Sequence, residues 1–338
     1  MKRNAGVDFI KVLACISVVG LHTIDRDSGR LNYFCYYLCG WAIPLFMMSS
    51  GYFLFADKEK LTQAYIGKKI VHILRFSFLW SGILTCYSLA KTILSNGISF
   101  TNMWGEFAQI PTNTVLNLLQ KGNAPVMWYC GSLILLYAFA YLFKARDMKP
   151  VSVWLCAFGV GIIIQISSYC LKQPLQSAFT QTFRLWTWIQ YAMLGAMMPR
   201  ISEFIRERVS WLAHFALILV IVPALVCYQI YMGKNFIHNS YVEFFYDSVS
   251  MILIVVLVFS FAVRCFSKQN KNSVICLLSR LSVGVFVLHL PVFYSVAGIL
   301  PGNTSKLGFA RFFLVIIGTF LLAFAISKTK PGKYLLKI

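Results

Sequence analysis

Charged side chains are scarce in this 338-residue chain: Asp, Glu, Lys and Arg together make up 12% of it, against ~25% in a typical soluble domain. Hydrophobic residues fill 59%. A water-soluble fold needs charge to cover its surface. The composition therefore excludes a cytosolic enzyme, a disordered protein and a secreted disulfide scaffold. No connection is long enough for a soluble domain, the longest running over about 95–124. One integral-membrane domain over 1–338 is expected. No C-x-x-C pair, Walker loop, Gly-x-Ser-x-Gly elbow or His-x-x-x-His pair is present. The ten cysteines lie mostly in apolar runs and read as small buried hydrophobes, so neither disulfides nor a metal site is expected.

Acids are the rarest charge, 11 against 31 Lys and Arg, for a net +20. In a soluble protein that excess would suggest nucleic acid. In a membrane it has a simpler cause, because Lys and Arg concentrate in cytoplasmic loops. A spanning helix needs ~20 mostly apolar residues. Ten such runs occur, at about 7–24, 32–55, 70–94, 125–143, 151–171, 183–199, 211–232, 244–266, 274–300 and 308–327. The first has no small-residue cleavage site and reads as a retained helix. With the N-terminus inside, the inner segments carry 19 Lys and Arg and the outer loops 6. That alternation predicts an all-α polytopic protein of ten transmembrane helices with both termini cytoplasmic, in the cell (inner) membrane. Nucleic-acid binding is not expected.

Ionisable groups at membrane depth are costly and tend to mark function. Lys11 and His22 are eleven residues apart, within about 20° of three full turns, and so share one face of the first helix. They are separated by ~16 Å along its axis. Asp8 lies one turn before Lys11 and can pair with it. Such a stripe offers a solvent-lined track from an inner charge to an outer imidazole. The plainer reading is an interfacial ion pair with a snorkelling lysine. The third helix opens with Lys68, Lys69, His72 and Arg75, a basic group suited to phosphates or to ordinary inner anchoring. The ninth sets Ser282, Phe286 and His289 on one face. Pro291 frees the carbonyl of Val287 beside that histidine. By helix position, His22 and His289 fall at the same depth. Trp128-Tyr129 reads as an outer aromatic belt, and the small residues at 49–51 as helix packing.

The stretch Arg3-Asn4-Ala5-Gly6-Val7-Asp8-Phe9-Ile10-Lys11, followed by His22, resembles the first helix of the membrane-bound acyltransferase 3 family. Pro44 through Tyr52 resembles its Pro-x-Phe-x-x-x-Ser-Gly-Tyr/Phe stretch. Lys69-Ile70-Val71-His72-Ile73-Leu74 is similar to its Arg-x-x-Arg-Ile-Leu element, and Trp128-Tyr129 to its Trp-Phe/Tyr. Leu281-Ser282-Val283-Gly284-Val285-Phe286-Val287-Leu288-His289 resembles its Ser-x-Gly-x-Tyr-x-x-His. The resemblance implies an O-acyltransferase that moves an acyl group, by default acetyl from acetyl-CoA, onto a hydroxyl of a cell-surface polysaccharide or its lipid-linked precursor. It implies His22 as the catalytic histidine, with His289 and Ser282 assisting. The coenzyme phosphates would meet Asp8-held Lys11, Lys69, His72 and Arg75. Lys11, Lys69 and His72 stand where the family has Arg, and all three lack the bidentate guanidinium fork. A transporter with an intramembrane Lys/His relay is the alternative.

Overall fold

The computed structural model describes residues 4–96, 100–266, 274–301 and 304–336, and within them every regular element is helical. In chain order the α-helices are α1 (Ala5–Thr23), α2 (Arg30–Leu38), α3 (Ala42–Leu54), α4 (Gln63–Asn96), α5 (Phe100–Ala108), α6 (Ile110–Leu118) and α7 (Trp128–Ala145). They continue with α8 (Pro150–Cys170), α9 (Leu185–Arg208), α10 (Trp211–Met232), α11 (Val249–Cys265), α12 (Val274–Ile299), α13 (Ser305–Lys328) and α14 (Gly332–Leu335). Eight segments among the described residues are long and apolar enough to cross a membrane, α2 and α3 counting as one through the tight turn Cys39–Trp41. The protein is an all-α polytopic membrane protein. Each of the ten expected runs coincides with a helix of this bundle, the remaining two being α9 and α11.

Those two fall below the eight for identifiable reasons. The α11 helix is only 17 residues long. The α9 helix carries Gln190 inside and Arg206 and Arg208 in its last turn, which dilutes its apolarity. It nevertheless lies deep in the bundle, packed on α3, α7, α8 and α11. A helix walled by protein has no lipid to satisfy and tolerates polar residues. The α3 and α9 helices pack backbone against backbone. A Cβ on Gly51 would sit 1.9 Å from the Ala192 carbonyl oxygen, and one on Gly195 2.0 Å from that of Met48. The α1 helix is enclosed by α3, α11, α12 and α13. Its start is capped by the Asn4 side chain, which accepts from the Gly6 and Val7 amides.

Helix ends assigned to one side by the charge pattern lie together. On the inner side, Lys58 Nζ donates to Asp147 Oδ1 at 2.7 Å and Lys144 Nζ to the Glu59 carbonyl at 3.1 Å. The Lys58 ammonium holds the Asp147 carboxyl below the usual carboxylate range. On the outer side, the Gln181 amide N–H donates to Gln120 Oε1 at 2.7 Å, and the Arg26 guanidinium stacks 3.8 Å from the Tyr241 ring. Arg184, at the foot of α9, is buried and bonds Glu243 at 3.3 Å. Removing the acid of a buried pair strands its cation at a cost of several kcal/mol. Because Glu243 is 31% exposed, Glu243→Ala should cost about 2 kcal/mol, toward the low side for such pairs. A thermal melt in detergent checks this, and Arg184→Met in the same chain should recover part of the loss.

Candidate active site

An inner cavity of about 980 Å³ runs among α1, α3, α4, α7, α12 and the chain after α13. Asp8 and Lys11 line it from α1, Lys69 from α4, and Ser279, Arg280 and Ser282 from α12. Its walls also include Ser327, Gly332 and Leu336. Pockets of ~300–1,000 Å³ take drug- and cofactor-sized molecules. Three cations face this one, against a single carboxylate. Ser279 Oγ donates to Asp8 Oδ1 at 2.8 Å, which ties α1 to α12. The Lys11 ammonium lies 4.9 Å from the Phe53 ring centroid. Ser282 Oγ donates to the Ser279 carbonyl at 2.8 Å.

The short helix α14 helps form this wall because Trp80 Nε1 donates to the Leu335 carbonyl at 2.8 Å. A Cβ on Gly284 would meet Leu336 at 3.1 Å, so Leu336 is pressed against α12.

The two imidazoles meet. His22 and His289 have ring centroids 5.1 Å apart, tilted by 41°. His289 is fully buried, whereas His22 is exposed. His289 Nδ1 lies 2.7 Å from the Phe286 carbonyl and 3.1 Å from that of Val285. A carbonyl only accepts, so Nδ1 carries the proton and Nε2 keeps its lone pair. That Nε2 is buried and has no hydrogen-bond partner among the described residues. These carbonyls lie a turn before the break expected at Pro291. The α12 helix continues through Pro291, whose own carbonyl accepts from Tyr87.

A family model described as an acyltransferase domain, that of acyltransferase 3, matches residues 4–328. The chain belongs to the acyltransferase 3 family. No curated protein and no solved structure matches it.

Of the family-derived site residues, Asp8, Lys11, Lys69 and Ser282 line the inner cavity, and His22 pairs with His289 beyond it. His72 and Arg75 do not line it; Arg75 is exposed. On a helix whose cavity stripe is Tyr65, Lys69 and Ile73, residue 75 is turned far from that face. Sequence reasoning missed Arg280, which lines the cavity. Its signal was present: an arginine inside an apolar run, two residues before Ser282. It also assigned Trp128-Tyr129 to a lipid interface. Instead Tyr129 lines the cavity and Trp128 stacks on Trp188 at 5.1 Å. The α6 helix packs on α4 and α7.

The cavity lining includes Phe46, Tyr129 and Phe286 and neither histidine.

Proposed function

We propose that the protein is an O-acyltransferase that draws on cytoplasmic acyl-CoA, acetyl-CoA by family resemblance. The acceptor is a hydroxyl of a cell-surface polysaccharide or of its lipid-linked precursor, and the protein works in the cell (inner) membrane. The observation that carries this reading is the His22–His289 pair, set at the outer end of the same helix whose inner end reaches a basic cavity. Lys11, Lys69 and Arg280 face one cavity as a phosphate-rich ligand requires. Arg280 supplies the guanidinium that position 11 lacks.

In this mechanism the acceptor oxygen attacks the thioester carbon while the His22 imidazole takes its proton. The carbon–sulfur bond breaks, and the proton goes to the departing thiolate. The products are an ester and free coenzyme A. His289 touches no substrate in its buried position. It acts through His22, its Nε2 lone pair supporting the imidazolium as it forms.

Charge-assisted hydrogen bonds contribute ~1.5–3 kcal/mol each. Lys69→Ala and Arg280→Ala should therefore each raise KM for the acyl-CoA about tenfold with kcat little changed. Initial rates at varied donor concentration in membrane vesicles check this. A KM unmoved in both variants would remove the cavity from the mechanism.

A further inference from the structure

A pair of hydroxyls stands among the aromatic side chains of the inner cavity. Ser50 of α3 and Tyr129 of α7 both line it. Ser50 Oγ and the Tyr129 hydroxyl are 3.3 Å apart and share a hydrogen bond. Serines elsewhere in the bundle return the hydroxyl to the carbonyl one turn back, Ser17 to Leu13 at 2.9 Å and Ser168 to Ile164 at 2.7 Å. The Ser50 hydroxyl turns instead to a side chain of another helix, at the cavity wall. One bond between two hydroxyls uses one proton and one lone pair. The pair can still donate once and accept at least once. Rings flank it: Phe46 lies 5.9 Å and Phe286 5.7 Å from the Tyr129 ring between centroids.

The pair sits deeper than the cations. On α7 the lining runs from Tyr137 to Tyr129, eight residues or ~12 Å. That helix leads inward to Lys144, which bonds Glu59 on the inner side, so Tyr129 is the deep end of its stripe. On α12 the lining runs from Arg280 to Phe286, six residues or ~9 Å. A coenzyme A thioester with its phosphates at Lys69 and Arg280 therefore lays its carrier arm past this level on the way to His22. The arm consists of methylene segments and two secondary amides. Each amide has one carbonyl and one N–H, and both need partners once they leave water. The hydroxyl pair supplies both at one place, an O–H for the carbonyl and a lone pair for the N–H.

We infer that Ser50 and Tyr129 bind an amide of the carrier arm, with Phe46 and Phe286 packing its methylene segments. The inference rests on the acyl-transfer reading above. It adds the residues that tell a coenzyme A thioester from a nucleotide without the arm. A neutral hydrogen bond of this kind changes affinity ~2–10-fold.

The test is calorimetric titration of the detergent-solubilised full chain with two probes. Coenzyme A carries both phosphates and arm; adenosine 3′,5′-bisphosphate carries phosphates alone. Tyr129→Phe and Ser50→Ala each remove one oxygen and keep the remaining bulk. Each should raise Kd for coenzyme A about fivefold and leave Kd for the bisphosphate within twofold of wild type. Lys69→Ala should weaken both probes. Thermal melts identify the folded variants, and either of the two hydroxyl variants carries the comparison if the other fails to accumulate. A coenzyme A Kd within twofold of wild type in the folded hydroxyl variants overturns the inference, as does a loss shared equally by the two probes. Both results leave the cavity as donor site standing. A wild type that binds no coenzyme A overturns the donor site itself, and the arm contact with it.

Discussion

Replacing His22 by Gln should lower acyl transfer about a thousandfold, within the ~10²–10⁴ that a positioned general base contributes. Glutamine keeps the bulk and a hydrogen-bonding end but cannot take a proton. The imidazole is exposed, so little packing is lost and the amount of folded protein should not change. His22 also stands outside the cavity lining, so KM for the acyl-CoA should stay within about twofold of wild type, as expected for an interaction made only in the transition state. Surface-glycan ester content in cells, with the variant at normal protein level, is the direct readout. Unchanged ester content would reject His22 as the catalytic group.

The largest effect on stability should come from the α3–α9 seam. Gly51→Val or Gly195→Val forces side-chain atoms into a facing backbone carbonyl, with the first at 1.9 or 2.0 Å. Backbone cannot rotate away as a side-chain tip would. Overpacking typically costs ~1–3 kcal/mol, and contact with rigid main chain puts these substitutions at about 3 kcal/mol or beyond. Because the two glycines serve one seam, the double variant should lose less than the sum of the singles. Gly159→Ala is the control: a Cβ there meets nothing within 4 Å, and in a helix interior it should be neutral or gain up to ~1 kcal/mol. Detergent-solubilised melting temperatures for the wild type and the four variants decide the matter. A Gly195→Val protein that melts with wild type would mean the helices are not seated as described.

Much of this arrangement was legible in the sequence because lipid imposes simple rules. Apolar runs of helix length gave the spans, and the alternation of Lys and Arg gave their order. The i, i+4, i+7 spacing of Ser282, Phe286 and His289 put them on one face, and equal counting from the inner ends put His22 and His289 at one depth. What was not legible depends on which helices become neighbours. Arg75 shares a helix with Lys69, yet only Lys69 reaches the cavity. Tyr129 follows a tryptophan at a helix start, the pattern of an interfacial belt. Its contacts with Phe46 of α3 and Phe286 of α12 make it part of an interior wall. Gly51 sits beside Ser50, and periodicity alone does not say that the glycine meets α9 while the serine meets the cavity.

The pinning of α14 bears on how the protein is handled. Leu336 already lines the inner cavity, and α14 is tied there through Trp80. A bulky reporter inserted directly after Leu336 would crowd that cavity or drag α14 from Trp80. The hydrophilic turn around 146–149, held outside that chamber, is the safer point for an inserted epitope.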